Sequence, residues 1–91
     1  MKQVWKYTLH PEEINQQIPK GGQVLCVDEQ GGNICMWVEV DIRAPKETRI
    51  FKVYGTGHNI YESSGASRVY IGSVKLFDGT LFFHVFEQLL A

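Results

Sequence analysis

"RVYIGSVKLFDGTLFFHVFEQ", residues 68–88, is the stretch whose reading decides the fold. Asp78-Gly79 in the middle of two runs of β-branched and aromatic residues is a strong signal for a two-residue hairpin turn. Setting Phe77 opposite Thr80 sorts the side chains. Tyr70, Gly72, Val74, Leu76, Leu81, Phe83 and Val85 share one face, and Ile71, Ser73, Lys75, Phe82, His84 and Phe86 share the other. The first set is expected to be core. The second is aromatic but carries polar groups.

A second hairpin is expected around Gly31-Gly32, between "QVLCVDEQ" (23–30) and "NICMWVEVD" (33–41). Its register gathers Leu25, Val27, Ile34, Met36 and Val38 on a core face and leaves Cys26, Asp28, Cys35, Trp37 and Glu39 opposite. A slip of one residue would scramble that sorting. "KQVWKYTL" (2–9) and "RIFKVY" (49–54) alternate like strands as well. Between them, Pro11 opens at most a helical turn before Pro19, and Glu12 and Glu13 decorate it. Six strands with no helix of normal length predict a mainly β, antiparallel sandwich or small barrel, one domain over residues 1–91.

Composition narrows the function classes. The chain has 91 residues, of which 12% are aromatic, and nine basic against ten acidic residues give a formal net charge of −1. That balance lacks the basic surplus of a general nucleic-acid binder. Cys26 and Cys35 form neither a CxxC nor a disulfide framework, and with His10, His58 and His84 they do not reach zinc-ligand spacing, so no metal or cofactor is expected. There is no charged-then-apolar leader and no long apolar run, which predicts neither a signal peptide nor a membrane span and makes the cytoplasm the default compartment.

Between the last two expected hairpin regions lies "VYGTGHNIYESSGASRVY" (53–70). Gly55, Thr56, Gly57 and His58 have the composition of a backbone nest, whose successive N–H groups hold an anion, with His58 adding a donor. The same residues also suit a plain glycine-rich exit from a strand. Arg43, Lys46, Arg49, Lys52 and Arg68 lie near loop ends or strand edges, and two arginines converging on the loop would clamp phosphate bidentately. Otherwise they are solvated surface. His84, between Phe82 and Phe86, suits a surface that stacks a base and hydrogen-bonds its edge, or a half-buried histidine held by a neighbouring hydroxyl. Serines 63, 64 and 67 cluster without a nucleophile elbow or a fixed base, so no catalytic group stands out. Trp37, on the polar side of its hairpin, is expected to be covered by a second sheet or a second chain, which predicts at least a dimer.

"WKY" (5–7), "IPKG" (18–21), "WVEVD" (37–41), "PKETRIFKVYGTGH" (45–58), "YIGS" (70–73) and "FHVFE" (83–87) together resemble a family of small phage and prophage proteins marked by G-T-G-H and H-V-F-E segments. The resemblance covers nearly the whole chain, makes 55–58 and 84–87 the signature positions, and implies no catalytic residues. Its phage context implies a non-enzymatic protein in the host cytoplasm that sequesters an immune nucleotide signal, cyclic or of ADP-ribose type. The ligand set expected on that basis is Tyr54, Gly55, Thr56, Gly57, His58, Arg68, Arg49, His84 and Phe86, with Tyr61 a further candidate for stacking. The other reading is a protein–protein module that inhibits a host defence protein or serves phage assembly.

Overall fold

The computed structural model describes residues 1–12, 14–61 and 67–89. They form seven strands: β1 (Lys2–Leu9), β2 (Asn15–Pro19), β3 (Gln23–Gln30), β4 (Asn33–Asp41), β5 (Lys46–Gly55), β6 (Ser67–Leu76) and β7 (Leu81–Leu89). Two antiparallel sheets result, with orders β1-β4-β3 and β2-β5-β7-β6, so the architecture is an open sandwich and not a closed barrel. Among the described residues, no helix is long and apolar enough to cross a membrane.

The core is the inward face of both sheets. Leu9, Ile34, Met36, Val38 and Val40 from one sheet meet Ile18, Phe51, Val74 and Val85 from the other. Burying side chains of this size contributes about 1.5–3 kcal/mol each. At one side the sheets approach so closely that a Cβ on Gly72 (β6) would sit 2.9 Å from Val27 Cγ2 (β3). A glycine is required there for contact, not for backbone freedom.

Both expected hairpins are present. Gly31 and Gly32 adopt φ of 62° and 83°, and Asp78 and Gly79 adopt 54° and 84°, the left-handed pair that a type I′ turn needs. The expected pairing runs from Gln30↔Asn33 to Cys26↔Trp37, and then a bulge between Val24 and Cys26 sets Val24 opposite Val38. Leu25 is thereby turned out of the core and is 50% exposed, while Val24 packs against it.

In the last hairpin the pairing follows the expectation from Leu76↔Leu81 to Gly72↔Val85, where a bulge between Tyr70 and Gly72 shifts Tyr70 opposite Phe86. Ile71 therefore packs on the core, and Tyr70, expected inside, stands outside at 52% exposure. A bulge puts two residues against one and so reverses the facing of everything beyond it.

A further correction concerns β2, expected as irregular chain after a helical turn. Asn15–Pro19 pairs with β5 and buries Ile18 completely. Finally, β5 and β6 lie on either side of β7 and both run antiparallel to it. The chain from Gly55 to Ser67 is thus a crossover from one end of β7 to the other. Residues 62–66 of that connection, including Ser63 and Ser64, lie outside the described residues, as does Glu13.

Candidate functional site

The register of β5 on β7 determines what the outer face of the four-stranded sheet presents. Phe51, Val74 and Val85 point inward, so their strand neighbours point out, in rows read across the sheet: Lys52–Phe86–Tyr70, then Tyr54–His84–Ser73, then Phe82 beside Lys75. Arg68 stands in the row of Ile50 and Gln88, and its Cζ lies over the Phe86 ring, 5.3 Å from the centroid. Tyr54 and Tyr70 both meet Phe86 edge-on, with centroids 5.9 and 5.1 Å apart, and Phe82 meets His84 at 5.1 Å. Such edge-to-face pairs are the favoured geometry of aromatic quadrupoles and hold the rings in fixed orientations. No carboxylate stands among the described residues of this face, although the chain as a whole is net negative.

His84 is at the centre. Thr56 Oγ1 lies 2.9 Å from its Nε2, and the Tyr70 hydroxyl 3.1 Å from its Nδ1. Thr56 Oγ1 also donates to the Phe82 carbonyl at 3.3 Å. One arrangement of a neutral ring gives each contact a proton: Tyr70 O–H donates to Nδ1, Nε2–H donates to Thr56, and Thr56 O–H donates to Phe82. Both ring nitrogens are therefore engaged inside the protein. The expectation that His84 itself hydrogen-bonds a base edge is replaced by a role in fixing Thr56 and Tyr70.

The G-T-G-H segment is a tight turn. Thr56 N–H donates to the Phe82 carbonyl at 3.1 Å and His58 N–H to the Gly55 carbonyl at 3.0 Å. A nest needs those amides turned outward together, so the expected backbone phosphate site is not formed. Gly57, with φ of 87°, supplies the left-handed residue of the turn. Arg68 does not converge on it either. Gly55 stands opposite Phe83 and Arg68 opposite Gln88, five residues further along β7 and about 17 Å away at the rise of a strand.

Arg49 lies on the inward side of β5 and belongs to a structural ion pair. Its Nε and Nη2 donate to Glu87 Oε2 and Oε1 at 2.7 and 2.8 Å, and Nη1 donates to the Gly22 carbonyl. The hydrogen bond to Glu87 pushes the guanidinium pKa up further, against desolvation by burial. Arg49 thus has no charge to offer a ligand on the outer face. Trp37 stands on the outer face of the other sheet, half-buried, between Lys6 and Cys26. Tyr61, at the start of the crossover, is exposed and accepts from Asn59 at 3.4 Å.

Of the expected ligand set, then, Tyr54, Thr56, His84, Phe86 and Arg68 come together on one face, and Arg49, Gly55, Gly57 and His58 do not. Tyr70 joins them unforeseen. Its signal was Gly72: an isolated glycine inside a strand pattern marks a bulge. Among the described residues, no three of His, Cys, Asp and Glu are grouped as a metal ion would require. No curated protein and no solved structure matches the chain. A family model described as a domain of unknown function, DUF7352, matches residues 1–90, and the chain belongs to that family.

Proposed function

We propose that this protein is a non-catalytic binding domain whose ligand is a phosphorylated nucleotide, held on the outer face of the four-stranded sheet. The observation that carries the reading is the pairing of clustered aromatic rings with Lys52, Arg68 and Lys75 on a face whose described residues include no carboxylate. A base stacks on Phe86 or Tyr70, each stack contributing about 1–3 kcal/mol. Arg68 and Lys52, on either side of Phe86, take the phosphates, and the Thr56 and Tyr70 hydroxyls meet the base or ribose. Binding without turnover is supported by the proton arrangement around His84. In the arrangement that gives every contact a proton, Nε2–H points at a Thr56 hydroxyl that donates to the Phe82 carbonyl, which leaves no base to activate Thr56 as a nucleophile.

The resemblance to phage and prophage proteins supports a more specific role, capture of a cyclic or ADP-ribose-type immune nucleotide in the host cytoplasm. Calorimetry with a panel of such nucleotides tests it. One of them binds, Phe86→Ala and Arg68→Ala each weaken it at least about tenfold, and chromatography after long incubation returns it intact. A panel in which none binds, or variants that bind like the parent, refutes this reading. The appearance of product refutes the absence of catalysis.

A second reading rests on the other sheet. Val4 and Leu25, 54% and 50% exposed, stand with Trp37 on the outer face of β1-β4-β3, among Lys2, Lys6, Asp28 and Glu39. That favours a protein contact, self-association or a host defence protein being the occupants, and it is compatible with a ligand on the opposite face.

A further inference from the structure

The outer face accounts for Thr56 of the G-T-G-H turn and leaves Gly55, Gly57 and His58 without a role. Those three serve the inward side. A Cβ on Gly55 would lie 2.7 Å from His58 Cε1 and 2.8 Å from Nδ1, so the imidazole rests on the bare glycine backbone. The left-handed Gly57 and the His58 N–H bond to the Gly55 carbonyl fold the ring back into that position. It is held there at an end of the sandwich, lining a crevice of about 300 Å³. Leu9 and Ile34 from one sheet and Val53, Leu76 and Phe83 from the other form its apolar walls. Among the described residues, its side-chain polar groups are His10, His58 and Asn33, and no Asp, Glu, Lys or Arg lines it.

We infer that this crevice is a second binding site, for a small, flat, uncharged molecule of one or two rings with a hydrogen-bond acceptor directed at the His58 and His10 imidazoles. Size sets the ring count. A cavity of about 150 Å³ admits benzene, and small-molecule sites begin near 300 Å³. Charge sets the class, because an ion entering a wall without countercharge loses its hydration uncompensated. A neutral imidazole always carries one N–H, which supplies the donor. The site is independent of the nucleotide reading, since neither its residues nor its ligand chemistry are shared with the outer face.

Amide NMR titration with benzamide, and with toluene as the ring without an acceptor, tests the inference. Both shift the amides of Val53, Gly55 and His58 in a saturable way, and benzamide binds about fivefold more tightly, the size of one net hydrogen bond. His58→Ala removes that difference and leaves toluene binding unchanged. Leu76→Phe fills the crevice and abolishes both; should it fail to fold, the His58→Ala comparison decides alone. Absence of saturable shifts overturns the inference. So do shifts confined to Arg68 and Phe86, or undiminished binding by a folded Leu76→Phe.

Discussion

Thr56 Oγ1 sits 2.9 Å from His84 Nε2, and this contact joins two segments 28 residues apart in the chain. The segments are the two that stand out in the sequence, 55–58 and 84–87. At the other end of the same strand pair Arg49 meets Glu87. Residue 55 thus closes one end of the β5–β7 ladder that presents the outer face, and residues 84–87 run along it.

The His84 chain has a direct readout. Long-range nitrogen–proton NMR is expected to show the Nε2–H tautomer, and an Nδ1–H signature contradicts the arrangement. Tyr70→Phe removes an exposed hydrogen bond and is expected to cost about 0.5–1 kcal/mol by urea denaturation. Thr56→Val removes two contacts and is expected to cost about 1–2 kcal/mol.

Arg49 and Glu87 side chains are only 16% and 12% exposed. Arg49→Ala leaves a desolvated carboxylate unpaired and is expected to lower stability by about 3 kcal/mol. Arg49→Met combined with Glu87→Leu, removing both charges together, is expected to recover most of that loss. A double variant no more stable than Arg49→Ala in urea would show that the pair is more than two mutually compensating ions.

The Tyr7 hydroxyl is buried without a hydrogen-bond partner. Burial raises its pKa above 10.0, and the Arg49 charge opposes the rise. A phenol whose folded pKa is raised contributes stability that is complete below the unfolded value near 10 and lost as pH climbs through the folded one. Tyr7→Phe is therefore expected to match or exceed the parent by about 1 kcal/mol at pH 7. It is also expected to flatten the decline above pH 10. Denaturation curves at pH 7 and pH 11 check both, and an unchanged alkaline decline excludes Tyr7 as its source.

Gly72→Ala places a methyl group 2.9 Å from Val27 Cγ2. Overpacking of this kind costs about 1–3 kcal/mol. Val27→Ala in the same chain is expected to restore part of the loss, giving a non-additive pair in thermal melts. Additive losses would mean that the strain lies in the bulge and not in the contact.

Self-association is expected through the Trp37 face. Light scattering at micromolar concentration is expected to return at least twice the single-chain mass, and Trp37→Ala to halve it. A single-chain mass for the parent removes the homo-oligomer, and an unchanged assembly in the variant moves the interface elsewhere.

Local chemistry in the sequence was enough to determine the fold class. Gly31-Gly32 and Asp78-Gly79 specify their turns through positive φ, and alternation next to a turn fixes which side chains share a face as far as the first irregularity. The same reading placed Phe86, His84 and Phe82 on one face from spacing alone. Where it stopped was at the bulges. Leu25 sits inside the Val24/Cys26 bulge and Tyr70 borders the Tyr70/Gly72 one, and each bulge reverses the facing on its side away from the hairpin turn. Tertiary packing decides that reversal, because Gly72 must face Val27 for the sheets to close. It also decides the fate of the charges: Arg49 and Arg68 are alike in sequence, yet β7 brings a carboxylate to one and an aromatic ring to the other. Spacing cannot convey which strand lies between β5 and β6, and that placement separates Arg68 from Gly55 and puts His84 beside Thr56.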